Sequence, residues 1–389
     1  MQKHPKLSLI EHFEKLPDPR VNRTKDHDLI DVLIIALCSL LCAAESFYDM
    51  EEFGQAKQDW FKSFLGLRNG IPSHDTFNRV FAALDPDKFL ECFLAWTQSV
   101  RQAVGQEIVA LDGKALRRAI TGDGSIKYIV SAWAEGNGLV LGQLKVADKS
   151  NEITAVPRLL RALELSGCIV TLDAMGCQKK IAKEIVEADA DYVLALKGNQ
   201  ETVHEEVKTF LDATLAERQE PRLPGAKLSK AAAALAVWET VEKDHGRVET
   251  RRYYQSVELD WFADRAKWEG LRSVGMVEAT REIKGQRTVE RRYYLSSLPL
   301  EVETFARAVR GHWGVENKLH WVLDVHFRED QSRARTGHAA ENLASLRRLA
   351  LNLLQREKTK KRSIRGKMLC ASWDHPYLTR LLGVQPKDI

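Results

Sequence analysis

Nowhere in this 389-residue chain do two cysteines stand as Cys-x-x-Cys. The six cysteines, Cys38, Cys42, Cys92, Cys168, Cys177 and Cys370, are single residues among apolar neighbours. That sets aside a structural zinc knuckle, which needs closely spaced thiolates, and reads as reduced core thiols of a cytosolic protein. Long apolar runs are missing too. The longest, Leu29 to Ala44, carries Asp31 and falls short of the roughly 20 residues a spanning helix needs, so it reads as a buried helix. Glu11, Glu14 and Asp18 precede any apolar run, unlike a secretory signal, and neither export nor a membrane partner is expected. A strong charge bias is absent as well. With 58 Lys and Arg against 54 Asp and Glu, the formal charge is only +4, so a polyanionic partner has to be argued from local clusters.

What is present is a large apolar fraction, 44%, with 29% charged residues, enough for two or three packed units. The chain reads as α/β. Residues 1–105 are helical in pattern: Asp28 can cap Leu29–Ala44, Ser73 can cap a helix to Leu84, and Phe89, Phe93 and Trp96 recur at helical spacing after Pro86. Near Glu107 the pattern changes to short apolar strands: Ile108–Leu111, Tyr128–Trp133, Leu139–Val146, Cys168–Leu172 and Tyr192–Leu196. Helices are expected at 157–165 and 179–188, so residues 106–198 predict a mixed sheet. Residues 199–299 read as a β-rich insertion in which Lys284-Gly285 turns one hairpin and Arg-Arg-Tyr-Tyr occurs twice, at Arg251–Tyr254 and Arg291–Tyr294. Residues 300–355 are helical again, and residues 356–389 read as a basic tail.

Asp112 and Asp173 each follow an apolar strand, where ligands of α/β sheets usually bind. Carboxylates there suit Mg²⁺, and a third on a later helix would complete a two-metal site for chemistry at phosphorus. Each aspartate alone reads more readily as a turn residue or helix cap than as a ligand. Glu316 lies between His312 and His320 at helical i, i+4 and i+8 spacing, which also fits a His-Glu-His transition-metal site or a plain polar face. Spacing leaves these readings open.

Several motifs in order carry a resemblance. Asp18-Pro19-Arg20, Pro72–Arg79, Ala110-Leu111-Asp112-Gly113-Lys114, Thr171–Gln178, Leu196–Gln200, His312–Asn317, Phe327–Asp330 and Leu346–Asn352 span nearly the whole chain. Together they resemble the H-repeat-associated, ISAs-type insertion-sequence DDE transposases. The resemblance implies an RNase H-like core interrupted by a β-rich insertion and preceded by a helical DNA-binding domain. It implies Asp112, Asp173 and Glu316 as catalytic carboxylates holding two Mg²⁺ ions, with Mn²⁺ as a substitute. It further implies double-stranded DNA as partner (element ends and target), a homo-oligomer on that DNA, and a bacterial cytoplasmic, nucleoid-associated location.

Better-known relatives in the wider group carry Tyr-x2-Arg-x3-Glu-x6-Lys around the final glutamate; this chain has Val309, His312 and Leu323 at the other three places. His312, Arg310 and Lys318 are candidates to replace the missing phosphate contacts, and Lys114, Lys197 and Gln200 are candidates near the scissile phosphate. Rival readings are an RNase H-like nuclease that no longer transposes, an inactive DNA-binding regulator derived from a transposase, and a hydrolase built on His312, Glu316 and His320. Joined DNA products, metal-dependent cleavage and zinc dependence separate them.

Overall fold

The computed structural model describes residues 9–21, 25–120, 126–146, 152–221, 227–244, 247–283 and 285–383. Its strands among these residues are β1 (Ile108–Ile120), β2 (Ile126–Ala134), β3 (Leu139–Val146), β4 (Ile169–Leu172), β5 (Asp191–Leu196), β6 (Ala236–Asp244), β7 (Arg247–Ser256), β8 (Ser273–Ile283) and β9 (Gln286–Ser296). Their order in the sheet is β3-β2-β1-β4-β5-β9-β8-β7-β6. The mixed α/β architecture is as expected, with an antiparallel hairpin preceding parallel strands. The chain divides into two compact units, one of Met1–Val104, Gly113–Asn151 and Val315–Ile389, the other of Gly105–Asp112 and Glu152–Gly314. Strand β1 contributes Ile108–Asp112 to the second and Gly113–Ile120 to the first.

In the second unit, Ile108–Leu111 of β1 pairs in parallel with Ile169–Leu172 of β4, and β4 in parallel with β5. All four residues of β4 are buried, as a parallel strand covered on both faces requires. Parallel neighbours also need a crossover, supplied by helix Lys179–Glu187 with Ile181, Ala182 and Ile185 turned inward. Helix Val302–Gly314 buries Phe305, Ala308 and Val309 in one cluster with Ile169, Val193 and Tyr294. Gly311 lets this helix lie close on β1, since a Cβ there would stand 2.8 Å from the Ile108 side chain.

The expected β-rich insertion continues the same sheet, because β9 pairs antiparallel with β5. Its doubled Arg-Arg-Tyr-Tyr lies on β7 and β9, the two neighbours of β8: Met276 faces Tyr254 on one side and Tyr293 on the other. Gly285 takes φ +79° in the expected turn, with Lys284 outside the described residues. The segment also holds a long helix, Glu201–Gln219, that strand-like composition did not announce. Val203, Val207, Leu211 and Leu215 form its buried stripe, thinned by the charged residues between them.

In the first unit, helix Leu29–Leu41 is buried from Asp31 onward. Its one charge has a purpose: Asp31 accepts the Leu67 N–H at 2.8 Å, and burial pushes its carboxyl up. Helix Ala339–Arg356 is buried along nearly its whole length, including two asparagines. Asn342 donates to the carbonyls of Phe81 and Leu84, which helix His74–Ala83 leaves without intrahelical partners. Asn352 does for edge strand β3 what another strand would do, bonding both the N–H of Val140 (2.8 Å) and its C=O (2.9 Å).

Residues 356–389, expected as a basic tail, form two helices where they are described, Ile364–Trp373 capped by Ser363 and His375–Leu382 capped by Asp374. Apolar residues after the basic stretch, among them Met368, Tyr377, Leu378 and Leu382, are buried and draw it in. Lys367 goes with them and donates to the carbonyls of Leu354 and Glu357. Among the described residues no helix is long and apolar enough to cross a membrane.

Asn352→Ala strips both bonds from a buried stretch of backbone. It should lower unfolding free energy in urea by about 2–6 kcal/mol, two orphaned groups at 1–3 kcal/mol each. A loss below about 0.5 kcal/mol would mean that Val140 is not held this way.

Candidate active site

β1 does not end at Asp112, as its apolar run suggested, but continues to Ile120. What ends there is its pairing with β4: Leu111 faces Leu172, and the next residues on the two strands are Asp112 and Asp173. Neighbouring strands are about 4.8 Å apart, and aligned residues of a parallel pair leave the sheet on the same face. The two aspartates thus stem from adjacent positions on one face, both half-buried.

Asp173 caps the short helical turn Ala174–Gly176. Its Oδ1 accepts from the N–H of Met175 (3.0 Å) and Gly176 (3.4 Å), which orients the carboxylate and leaves Oδ2 for an incoming ligand. The cap reading and the ligand reading of this residue are therefore compatible. The Leu196–Gln200 loop braces the turn: Asn199 donates to Ala174 C=O, and Gln200 donates to Cys177 C=O at 3.2 Å and to the Gln178 side chain. Gln200, expected near phosphate, spends its amide on this brace. Lys197 is exposed beside it.

His312 meets Thr171 Oγ at 3.0 Å through Nδ1, and Thr171 lies two residues before Asp173, hence on the same strand face. Burial lowers the imidazole's pKa, with Asp173 opposing, so His312 is neutral at pH 7. It cannot then supply the standing charge of the arginine found in the wider group. Arg310 is held by both carboxylate oxygens of Glu242 (3.2 and 3.1 Å), and Lys318 by Glu135. Glu316 is exposed, the second residue of π-helical turns Val315–His320. A π-turn takes more residues than an α-turn, so the i, i+4, i+8 face drawn through His312, Glu316 and His320 does not persist. Among the described residues no group of three His, Cys, Asp or Glu side chains stands ready to hold a metal ion.

Lys114, expected at the scissile phosphate, is instead buried among acids of its own unit. Its Nζ lies 2.7 Å from Asp324, 2.8 Å from Asp330 and 3.7 Å from Glu329. Glu329 in turn meets Arg348 at 2.7 Å, both side chains fully buried, while Arg348 also donates to Ser131 and Ala344 C=O. Burial alone would lower the Lys114 ammonium's pKa, but Glu329 and the two aspartates outweigh it and raise it. Burial would likewise raise Glu329, yet Arg348, Lys114 and Arg347 hold it below the usual carboxylate range. Asp324 is pushed up by burial against the pull of Lys114. Sequence reasoning missed this network. The available signal was charge inside apolar stripes, Arg347-Arg348 between Leu346 and Leu349, because such charges are buried only when paired. Asp324 and Asp330 are thus engaged with Lys114, while Glu316 stays open to solvent.

Residues 105–353 match the family model described as Transposase DDE domain, and residues 10–97 the model described as DDE_Tnp_1-associated. Over 383 residues the chain is 38% identical to the H repeat-associated putative transposase YhhI of Escherichia coli K12, covering 96% of this chain and 97% of that protein. Over 290 residues it is 43% identical to an uncharacterized protein in the dhlA 3′ region of Xanthobacter autotrophicus, covering 73% and 92%. A solved piggyBac transposase synaptic complex with hairpin DNA is similar at TM-score 0.47 and 11% identity, over 96% of this chain and 76% of that one.

Glu329→Gln leaves Arg348 buried without its counter-charge and should cost about 3–5 kcal/mol in urea unfolding. Because Glu329 is held below its ordinary pKa, its contribution is whole above the unfolded value near 4.5 and fades as pH falls through the folded value. The gap between wild type and variant should therefore narrow toward acid. A gap that widens on acidification would contradict the pairing.

Proposed function

The chain belongs to the DDE transposase family, and we propose that it cuts DNA at the ends of an insertion sequence and joins the freed 3′ hydroxyls to target DNA. The observation that supports this most is the register of β1 and β4, from which Asp112 and Asp173 leave adjacent strands side by side. Asp112, Asp173 and Glu316 are the carboxylates that hold the divalent ions of this family. Oxygen donors of this kind suit Mg²⁺, with Mn²⁺ as a substitute. When bound, the ions supply Lewis acidity at the phosphodiester and a template for in-line displacement.

The chain's own residues do the positioning. The cap on Met175 and Gly176 keeps the Asp173 carboxylate in one orientation, and the His312–Thr171 bond pins helix Val302–Gly314 to β4. Held groups need no reordering as the reaction proceeds, which is worth several powers of ten in rate. Exposed Lys197 is the phosphate contact closest in sequence to the brace on the Asp173 turn. Helix His74–Ala83, with Asn78 and exposed Arg79, is the element offered to a DNA groove by the helical domain. Two element ends have to be held together for joining, hence a homo-oligomer on DNA.

The test is a supercoiled plasmid bearing the element's ends, incubated with the full chain and Mg²⁺ or EDTA. Asp112→Asn, Asp173→Asn and Glu316→Gln should each lower end cleavage by at least about a hundredfold, since several kcal/mol of metal stabilisation are lost at 1.4 kcal/mol per power of ten. Asp324→Asn should still cut. Normal cutting by Glu316→Gln together with loss in Asp324→Asn would displace Glu316 as third ligand. Nicks at the ends that are never joined would make the chain a nuclease.

A further inference from the structure

Away from the carboxylates, two helices of the first unit pack against each other, Trp321–His326 and Ile364–Trp373, and both leave large apolar side chains in water. Trp321 is 55% exposed, Val325 43%, Leu369 37% and Trp373 65%. The spacing of four places each pair on one face of its helix. One turn before Leu369 stands Arg365, near enough for its charge to be felt at His326, whose ring meets Trp321 edge-on with centroids 5.5 Å apart. The approach to the second helix is basic. Lys358, Lys361, Arg362 and Arg365 are exposed, and none forms an ion pair among the described residues, in contrast with Lys360 on Asp374 and Lys367 in the interior.

We propose that this surface binds single-stranded DNA, with Lys358, Lys361, Arg362 and Arg365 along the backbone and Trp321 and Trp373 under unpaired bases. It rests on the DNA reading of the preceding subsection. Unpaired cations on a surface call for a polyanion, and exposed indoles add the second half of the pattern, a stacking platform. In a duplex the base faces are already stacked and only their edges are open, so the indoles have a partner only where strands are separated. A second copy of the chain fits less well. A two-fold contact sets a patch against itself, and here it would bring the four free cations of each copy together.

Binding is measured by fluorescence anisotropy of a labelled oligothymidylate with the full chain in EDTA, which needs no catalysis. The Trp321→Ala/Trp373→Ala pair should bind it at least about tenfold more weakly, in line with the loss of one or two base stacks. Binding to a duplex of equal length should change less than about twofold, and Trp321→Tyr/Trp373→Tyr should recover most of the loss. Lys361→Glu/Arg365→Glu, both on exposed positions that carry no core contact, should weaken binding and flatten its dependence on salt. Wild-type affinity for oligothymidylate in the alanine pair, or in the glutamate pair, would overturn the proposal. So would alanine variants that change the oligomeric state in sedimentation and leave oligothymidylate affinity intact, which would make the face a contact between copies. Asp173→Asn should bind oligothymidylate like wild type, so failure of the metal site and failure of this surface give different results.

Discussion

Four residues of β1 lie in parallel beside four of β4, Ile108–Leu111 against Ile169–Leu172, and the second unit is arranged around that short ladder. Every one of these residues is buried, and the valine, leucine and isoleucine side chains among them contribute about 1.5–3 kcal/mol each when taken fully from water. Parallel pairing forbids a tight turn, so a crossover helix must join β4 to β5, and a strand buried on both faces needs helical cover. Helix Val302–Gly314 provides part of that cover and comes close because Gly311 has no side chain to keep it off Ile108. The same register sets Asp112 and Asp173 one step beyond the last apolar pair, where the ladder opens.

The charged network around Lys114 shows a different constraint. A lysine, three carboxylates and Arg348 share a largely buried region of the first unit, and each member is tolerable there only because the others are present. Such a network adds little net stability compared with an apolar core of the same volume, but it punishes any arrangement that separates its members. It joins β1, two residues past Asp112, to the segment that follows Glu316, and to the helix Ala339–Arg356. Arg328, just before Glu329, adopts a left-handed backbone at φ +51°, a conformation costly for a residue with a side chain and kept only where the surroundings impose it.

Much of the fold could be read in advance, and particular residues show why. Ser73 caps a helix where the sequence places a cap, because capping needs only a side-chain oxygen and the two or three amides that follow it, whereas Asp28 stands at the start of helix Leu29–Leu41 without a side-chain cap bond. Strands β2 to β5 announce themselves as apolar runs between turn signals. Helix Glu201–Gln219 was missed because its stripe of four apolar residues is diluted by charge, and the two C-terminal helices because a basic stretch hid the apolar residues after it. For the site, Asp112 and Asp173 were legible from their place after apolar strands, while the partners of Lys114, Arg310 and Lys318 were not. An exposed cation and a buried, paired one are written with the same letter.

The sequence by itself therefore determined what depends on neighbours along the chain: most of the segments that are helix or strand, which carboxylates follow apolar runs, and, through ordered motifs, the family. Only the tertiary structure decided what depends on residues far apart. It aligned Leu111 with Leu172, showed that β1 passes through Asp112 without ending, assigned Lys114 to acids more than two hundred positions away, and made His312 a neutral partner of Thr171. The physical reason is that local propensities extend over a turn of helix or a few residues of strand, whereas burial, ion pairing and register are settled by whichever distant side chains the packed core brings together.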